Sequence, residues 1–324
     1  MRQVSLGKFR ALNRASSADG HFNVLALDHT DALKRALNPA SPQEVSNDKI
    51  IAYKRQVVSA LVPETSAVLL DPIYGAPQAI RNRNLGNVGL LVELEKADYQ
   101  LKSMPLEVEI LPGWSVAKIK QMGADGVKLF FYYNPDAPEL TAKQDHLLRA
   151  VVADCAAHDI PLYAEPILCE IGEDESVYIE NYTRRVIDSA RRIAAAGADI
   201  LKLEYPVHPT QIVEEARCRD ACAQLSASVD IPWVLLSAGV SFEVFLQQVE
   251  IACASGASGC IVGRAVWGEA AQIADERDRQ SWLDQVGRER MRELASCVRA
   301  GSPWTNRVEC EPVSTDWYRT YGDT

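Results

Sequence analysis

The sequence predicts an α/β protein built as a single closed (β/α)8 barrel, the TIM barrel, on three observations. Eight short apolar segments recur along the 324-residue chain, and stretches with helical apolar spacing separate most of them. Several of the apolar segments end in a charged residue, which is where such barrels place their functional groups. The length also fits, because barrels of this class run as one domain at roughly 200 to 400 residues. A doubly wound open sheet produces a similar alternation and is the alternative fold.

The predicted strands are short runs that are apolar on both alternating faces. Runs of this kind are typical of strands covered on both sides. The first run reaches Asp28, the second stops at Pro72 and the sixth stops at Pro206. In chain order the eight predicted strands are residues 22–29, 66–72, 88–94, 126–132, 161–167, 199–206, 232–237 and 258–263.

The predicted helices lie between these strands. Their apolar residues return every three or four positions, as on one face of a helix. After the third strand a polar connection comes before the next helix. The predicted helices are residues 31–36, 48–61, 115–122, 141–158, 177–196, 211–226 and 242–255.

A C-terminal extension is predicted to follow the barrel. We place the barrel at about residues 20 to 270 and the extension at about 271 to 324. The extension contains a charged helix from Arg277 to Val298 and then an aromatic tail, which we expect to pack rather than to react. The aromatic residues of the tail are Trp304, Trp317, Tyr318 and Tyr321. Because no low-complexity linker divides the chain, residues 1–324 are predicted to form one domain.

Composition and charge exclude several classes of function. Hydrophobic residues make up 47% and charged residues 24% of the chain, which is typical of a folded protein. The net charge of -10 and the lack of a basic stripe argue against nucleic acid or an anionic membrane as the partner. No apolar run approaches the roughly 18 residues of a membrane helix. We therefore expect a cytoplasmic protein.

The cysteines and histidines do not form a metal-binding pattern. Eight cysteines are scattered along the chain, and only Cys218 and Cys222 are close together. A zinc site requires two close pairs, or a cysteine pair with a histidine pair. We expect reduced, mostly buried thiols and no metal cofactor.

The most informative segment is 199–206, where a lysine lies in the middle of an apolar strand. Side chains alternate along a strand, so Lys202 would point into the barrel with Ile200 and Glu204. Burial disfavours an ammonium and favours a neutral amine, which can attack a carbonyl group. The alternative is a structural ion pair at the mouth of the strand.

Further polar residues end or interrupt the predicted strands. Because barrels place their active sites at the carboxyl ends of the strands, these side chains are expected to meet. A single carboxylate at such a position can instead cap the next helix, which is the alternative for Asp71. The set consists of Asp28, Asp71, Glu93, Lys128, Glu165, Lys202, Glu204, Ser237 and Arg264.

Three of these residues form the predicted catalytic group. Lys128 and Lys202 lie on alternate strands, whose inward side chains share a layer, and Glu165 projects between them from the adjoining layer. The charge of Lys128 would favour the neutral form of Lys202, and Glu165 would carry protons. These are the components of a Schiff-base enzyme. An interior salt-bridge network that serves stability alone is the alternative.

Two turns predict a phosphate site. Ser237, Ala238 and Gly239 follow the seventh strand, and Gly263 and Arg264 follow the eighth. Barrels commonly bind phosphate after their last two strands with backbone amides, a helix N-terminus and an arginine. A small phosphorylated substrate is therefore expected.

The motifs together resemble the tagatose-1,6-bisphosphate aldolase family of class I aldolases. The resemblance covers about residues 20 to 270 and rests on LALDHTDALKR (25–35), GVKLFFYYNPD (126–136), LYAEPI (162–167), LKLEYPV (201–207), PWVLLSAGV (232–240) and GASGCIVGRAVW (256–267). It implies that Lys202 forms the imine, Glu165 shuttles protons, Lys128 tunes them and Asp28 contacts substrate hydroxyl groups. It also implies a metal-independent lyase that releases dihydroxyacetone phosphate.

Two positions depart from the family pattern. Family members often have Asp-Gln where this chain has Asp28 and His29, and Pro166 follows Glu165 here. We expect both positions to line or shape the sugar pocket, and Glu204 is a further predicted substrate-binding residue. Sulfofructose-phosphate aldolases share the later motifs, so 6-deoxy-6-sulfofructose 1-phosphate is the alternative substrate. A barrel isomerase or epimerase and a non-catalytic sugar-phosphate-binding protein are the competing functions, and a homo-oligomer is possible.

Overall fold

Eight parallel strands close into a barrel in the computed structural model, which describes residues 1–96, 107–211, 214–319 and 321–322. A short strand, β1 (Arg2–Val4), precedes the barrel. The barrel strands are β2 (Phe22–Leu27), β3 (Ala67–Leu70), β4 (Gly89–Glu93), β5 (Gly126–Tyr133), β6 (Leu162–Leu168), β7 (Ile200–Leu203), β8 (Trp233–Leu236) and β9 (Gly259–Val262). They neighbour one another in chain order, and β9 pairs with β2. All eight predicted strands are present, and the closed barrel rather than the open sheet is the fold.

The helices pack around the barrel. They are α1 (Leu6–Ala15), α2 (Asp31–Leu37), α3 (Asn47–Leu61), α4 (Ala76–Arg81), α5 (Val116–Gln121), α6 (Pro138–Ala157), α7 (Glu175–Ala196), α8 (Glu215–Ser228), α9 (Phe242–Ala254), α10 (Arg264–Trp267), α11 (Glu276–Trp282) and α12 (Arg288–Cys297). The sequence did not predict α1, α4 or α10. Residues 212–213 of the predicted helix 211–226, and part of the polar connection after the third strand, lie outside the described residues. Among the described helices, none is long and apolar enough to cross a membrane.

The alternation of side chains along each strand determines what faces the barrel interior. In β2, Phe22, Val24 and Ala26 are buried in one cluster with interior residues of other strands, such as Tyr163. Leu25, of the opposite phase, packs in the larger cluster between the strands and the helices. Polar residues that continue the interior phase therefore meet at the carboxyl end of the barrel.

The two ends of the chain meet at the amino end of the barrel. A tenth strand, β10 (Val308–Cys310), pairs in parallel with β1. Trp304 is fully buried, packs edge-on against Phe9 with 5.0 Å between ring centroids, and donates a hydrogen bond to Ser16. The sequence predicted neither of these short strands, because three residues carry no usable periodicity.

The C-terminal extension differs from the prediction in two respects. The predicted helix from Arg277 to Val298 is divided into α11 and α12 by a π-helical turn over Leu283–Gly287. In the aromatic tail only Trp304 packs into the core, whereas the remaining aromatic residues are exposed by 37 to 62%. Those exposed residues are Trp317, Tyr318 and Tyr321. The expectation of a packed tail was therefore correct for Trp304 alone.

Candidate active site

A cavity of about 250 Å³ opens at the carboxyl ends of the barrel strands. Its wall contains both predicted phosphate turns, His29 and Glu204, together with Lys202 and Glu165. The lining residues are Ala26, His29, Ala32, Arg35, Phe130, Tyr132, Glu165, Ile167, Lys202, Glu204, Leu236, Ser237, Ala238, Gly239, Ile261, Gly263 and Arg264. Lys128 and Asp28 are buried outside this lining set.

Glu165 bridges the two interior lysines. Its Oε1 is 2.7 Å from Nζ of Lys202, and its Oε2 is 3.1 Å from Nζ of Lys128. The strand register explains this, because Tyr163 pairs with Lys128 on one side and with Ile200 on the other. The stagger that closes such a barrel then brings Lys202, two residues further on, level with Lys128. The three side chains that were predicted to converge do lie together.

Lys128 lies among three carboxylates that come from different strands. Besides Glu165, its Nζ is 3.0 Å from Oδ2 of Asp28 and 2.5 Å from Oε1 of Glu95. Glu95 was not predicted from the sequence, because it lies two residues beyond Glu93, past the end of the apolar run. Alternation from Glu93 places Glu95 on the same inward face, and this was the available signal.

The carboxyl groups of this cluster have different electrostatic environments. Burial raises the pKa of Glu93 well above its usual range, and the charge of Glu95 adds to the effect. Burial also raises the pKa of Glu95, although Lys128 opposes it. For Asp28 the burial penalty is outweighed by Lys128 and His29, so its pKa lies well below the usual range. The sequence predicted one carboxylate between the lysines. The additional carboxylates offset the repulsion that Lys128 was expected to exert on Lys202.

His29 joins Asp28 to the cavity wall. Its Nδ1 is 3.3 Å from Oδ1 of Asp28, and its ring packs edge-on against Trp267 with 5.7 Å between centroids. Burial lowers the pKa of His29, so the ring is neutral at pH 7. A Cβ at Gly263 would come within 2.9 Å of this ring, which explains the glycine. The direct contact between Asp28 and substrate stays a prediction.

Glu204 lies in the cavity wall, one step along the inward face from Lys202. Its Oε2 accepts a hydrogen bond of 2.8 Å from the amide of Leu168. Burial raises the pKa of Glu204 to about 7, the Leu168 amide and Tyr182 oppose the shift, and the charge of Glu165 adds to it. Glu204 is therefore a carboxyl group that can accept or donate near neutral pH.

The predicted phosphate turns face the same cavity. Ala238 and Gly239 both adopt positive φ, 46° and 80°, which costs energy for the alanine and turns the backbone sharply. A Cβ at Gly239 would lie 2.9 Å from Nη2 of Arg264, so the guanidinium crosses directly over this turn. Ser237, at the start of the turn, is buried in the cavity wall. The two turns thus form one side of the cavity.

Asp71 is a structural residue. It forms a buried ion pair with Lys54 of α3, and its Oδ1 accepts hydrogen bonds from the amides of Ile73 (2.9 Å) and Tyr74 (2.5 Å). Neither Asp71 nor Lys54 lines the cavity. The alternative role of Asp71, a cap for the following turn, agrees with these contacts. Lys54 was not predicted from the sequence.

The cysteines do not line the cavity. All eight carry free thiols, and five of them are buried. The prediction of reduced, mostly buried thiols agrees with this arrangement. Within the described ranges, His, Cys, Asp and Glu side chains do not form a group of three or more suited to a metal ion.

Comparisons by sequence agree on one family. The family model described as DeoC/LacD family aldolase matches residues 22–269. The chain is 30% identical over 327 residues to tagatose 1,6-diphosphate aldolase 2 of Streptococcus mutans, covering 94% of this chain and 98% of that protein. It is 32% identical over 330 residues to tagatose 1,6-diphosphate aldolase of Listeria monocytogenes, covering 94% and 95%.

Solved structures support the fold. An archaeal fructose 1,6-bisphosphate aldolase matches with a TM-score of 0.60 at 19% identity, covering 91% of this chain and 100% of that one. A Schiff-base-forming fructose-1,6-bisphosphate aldolase matches at 0.58 and 20%, covering 90% and 99%. The fructose-bisphosphate aldolase of Plasmodium falciparum matches at 0.70 and 12%, covering 93% and 97%. Because these identities are 20% or less, the likeness shows the barrel fold alone.

Proposed function

This chain belongs to the DeoC/LacD family of aldolases, and we propose that it is a class I aldolase that cleaves a ketohexose phosphate through an imine on Lys202. Aldolases are lyases, and this much follows from the family. Tagatose 1,6-bisphosphate is the proposed substrate, because the relatives in Streptococcus mutans and Listeria monocytogenes carry that name. The proposed products are dihydroxyacetone phosphate and glyceraldehyde 3-phosphate.

The observation that carries the proposal is the Glu165 bridge at the cavity wall. Lys202 must lose a proton before it can attack, and Glu165 lies 2.7 Å away to accept it. The neutral amine adds to the C2 carbonyl, Glu165 returns its proton to the departing hydroxyl group, and loss of water from the carbinolamine gives a protonated imine. The same carboxylate is then available to the substrate.

The imine nitrogen is the electron sink for cleavage. Glu165 accepts the C4 hydroxyl proton, the C3–C4 bond breaks, its electrons move to the imine nitrogen, and the aldehyde leaves. The enamine takes this proton back from Glu165 at C3, and water hydrolyses the resulting imine to dihydroxyacetone phosphate and free Lys202. A metal ion is not needed in this scheme. The ammonium of Lys128 already occupies the centre of Asp28, Glu95 and Glu165, where a cation would bind.

The phosphate side of the cavity orients the substrate. Arg264 and the turn at Ser237, Ala238 and Gly239 would hold the C1 phosphate, because a guanidinium and exposed amides suit phosphate oxygens. With the phosphate held there, the C2 carbonyl would face Lys202 in the cavity wall. His29 and Glu204 would contact the sugar hydroxyl groups.

Two measurements test this function. Borohydride reduction in the presence of a ketose bisphosphate should inactivate the enzyme and leave a three-carbon adduct on Lys202. An isomerase or epimerase would survive the same treatment, so retained activity would exclude the imine mechanism.

A substrate panel tests the finer assignment. Cleavage of tagatose 1,6-bisphosphate, fructose 1,6-bisphosphate and 6-deoxy-6-sulfofructose 1-phosphate should be compared by kcat/KM. The highest value for the tagatose ester supports the proposal. A preference for the sulfonated sugar would replace the substrate and keep the chemistry.

A further inference from the structure

Glu95 contacts Lys128 but does not line the cavity. It makes the shortest of the three carboxylate contacts to Lys128, 2.5 Å, against 3.0 Å for Asp28 and 3.1 Å for Glu165. Of these three carboxylates only Glu165 lines the cavity. Glu95 therefore acts on substrate, if at all, through Lys128 and Glu165.

The backbone around Glu95 is held firmly. The amide of Leu94 donates a 3.0 Å hydrogen bond to the carbonyl of Lys128, so the two residues are tied strand to strand. Glu95 itself forms an antiparallel bridge with Ile110, and the amide of Lys96 donates to Glu109 at 2.8 Å. A carboxylate on such a support keeps its distance from Lys128 during a reaction, which is what a positioning group requires.

The charge balance shows what Glu95 does to Glu165. A carboxylate that has a nearby cation to itself is a weak base, because the cation stabilises its charged form. Lys128 divides its charge among Asp28, Glu95 and Glu165, so Glu165 receives only part of that stabilisation. Glu93 competes less for the cation, because burial and the charge of Glu95 raise its pKa well above the usual range, whereas Lys128 opposes the smaller rise in the pKa of Glu95.

We propose that Glu95 is a positioning residue that anchors Lys128 and, by competing with Glu165 for its charge, keeps Glu165 basic enough to accept the substrate hydroxyl proton. This inference rests on the proposed imine mechanism. Among the described residues, the remaining titratable groups that face the cluster are Asp28, His29, Lys54, Asp71, Glu93, Lys202, Glu204 and Arg264.

The test compares pH profiles of kcat/KM for the wild type and Glu95→Gln, from quenched assays of released triose phosphate. With Glu95 neutral, Lys128 holds Glu165 more strongly. The acid limb should move to lower pH by about one unit, and kcat should fall about tenfold as the base weakens. KM should stay within about twofold, because Glu95 does not line the cavity.

Glu93→Gln is the matched control. It makes the same chemical change two residues away on the same inward face, but replaces a carboxyl group whose pKa burial raises well above its usual range. Its acid limb should coincide with that of the wild type. A shift of equal size in both variants would overturn the role of Glu95, because it would show a general effect of the interior charge.

The remaining outcomes also decide. An unmoved acid limb in Glu95→Gln overturns the inference, while wild-type cleavage and borohydride trapping leave the proposed function standing. A wild type that neither cleaves a ketose phosphate nor traps an adduct overturns both. If Glu95→Gln does not fold, Glu95→Asp decides: its shorter carboxylate loosens the contact with Lys128, so a smaller shift in the same direction is required.

Discussion

Two buried lysine–carboxylate groups lie at the same end of the barrel and are built differently. Lys54 and Asp71 form a matched pair of one cation and one carboxylate, each with a side chain exposed by 2% or less. The remaining oxygen of Asp71 is used by the amides of Ile73 and Tyr74. The pair also touches the active-site region, since Nζ of Lys54 lies 3.5 Å from the carbonyl oxygen of Asp28.

The second group has unequal numbers of cations and carboxylates, and part of it is open to the cavity. Lys128 and Lys202 face Asp28, Glu95 and Glu165, so the carboxylates outnumber the ammonium groups. Two members, Lys202 and Glu165, open onto the cavity. A matched and closed pair can serve structure alone, whereas buried charge that is unmatched and open is costly unless protons move through it. Charge balance and access thus separate a structural lysine from a reactive one.

The largest effect is expected for Lys202→Ala. Removal of the nucleophile should lower kcat by at least about 10⁴-fold and abolish borohydride trapping, because imine formation needs this amine. Peptide mass mapping of the reduced wild type should place the three-carbon adduct on Lys202. An adduct on Lys128, or trapping that persists in Lys202→Ala, would show that the roles are assigned wrongly.

Lys128→Ala should slow trapping without abolishing it. The substitution leaves the charges of Asp28 and Glu95 without their shared cation, which favours the protonated, unreactive form of Lys202. Trapping should slow by about 100-fold, measured as the rate of inactivation by borohydride at saturating substrate. A rate equal to that of the wild type would contradict the coupling between the two lysines.

Disruption of the Lys54–Asp71 pair should lower the stability of the fold. Lys54→Met leaves the buried carboxylate of Asp71 unpaired and should lower the free energy of unfolding by about 3 to 5 kcal/mol in denaturant titrations. The double variant Lys54→Met/Asp71→Asn should recover most of that loss, because the asparagine removes the charge and keeps an acceptor for the amides of Ile73 and Tyr74. If the folded fraction of Lys54→Met failed to trap substrate, the Lys54–Asp71 pair would be needed for catalysis and would not serve structure alone.

Each of the two lysine groups contains one residue that the sequence did not predict: Lys54 in the pair with Asp71, and Glu95 in the group around Lys128. Lys202 stood out because it interrupts an apolar strand. Lys54 lies in α3 between Ile50 and Val57, at helical spacing on the buried face. That position was a signal, but lysines on helices are ordinarily exposed, and helical periodicity alone does not identify a partner such as Asp71.

Glu95 and the chain ends were missed for reasons of distance. Glu95 lies beyond the apolar run that defined its strand, and its backbone is held by a bridge to Ile110, so alternation from Glu93 was the local signal of its inward direction. The strands β1 and β10 exist because residues some 300 positions apart pair with each other. The barrel strands were predictable because each lies in an apolar run of its own that is longer than the three residues of β1 or β10.

Glu204 differs from both lysine groups, since it is half-buried and lines the cavity without an ion pair to either Lys54 or Lys128 in the contacts given above. Its pKa is raised from 4.5 to about 7, so between these values the folded state holds a proton that the unfolded state has released. The free energy of unfolding should therefore fall by about 3 kcal/mol as the pH rises from 4.5 to 7. Glu204→Gln should lose that part of the pH dependence. Parallel curves for the two proteins would contradict the raised pKa.

The smallest effect is expected for Arg264, at the open edge of the cavity. A guanidinium that holds the phosphate contributes equally to substrate and transition-state binding, so Arg264→Ala should raise KM about tenfold and change kcat little. Arg264→Lys is the matched control: it keeps the charge and loses the planar fork, so its KM should lie between those of the wild type and the alanine variant. Steady-state kinetics with the ketose bisphosphate measure both. A fall in kcat with unchanged KM would place Arg264 among the groups that act on the reacting carbons. A charged side chain at the cavity mouth would then take part in catalysis as well as in substrate binding.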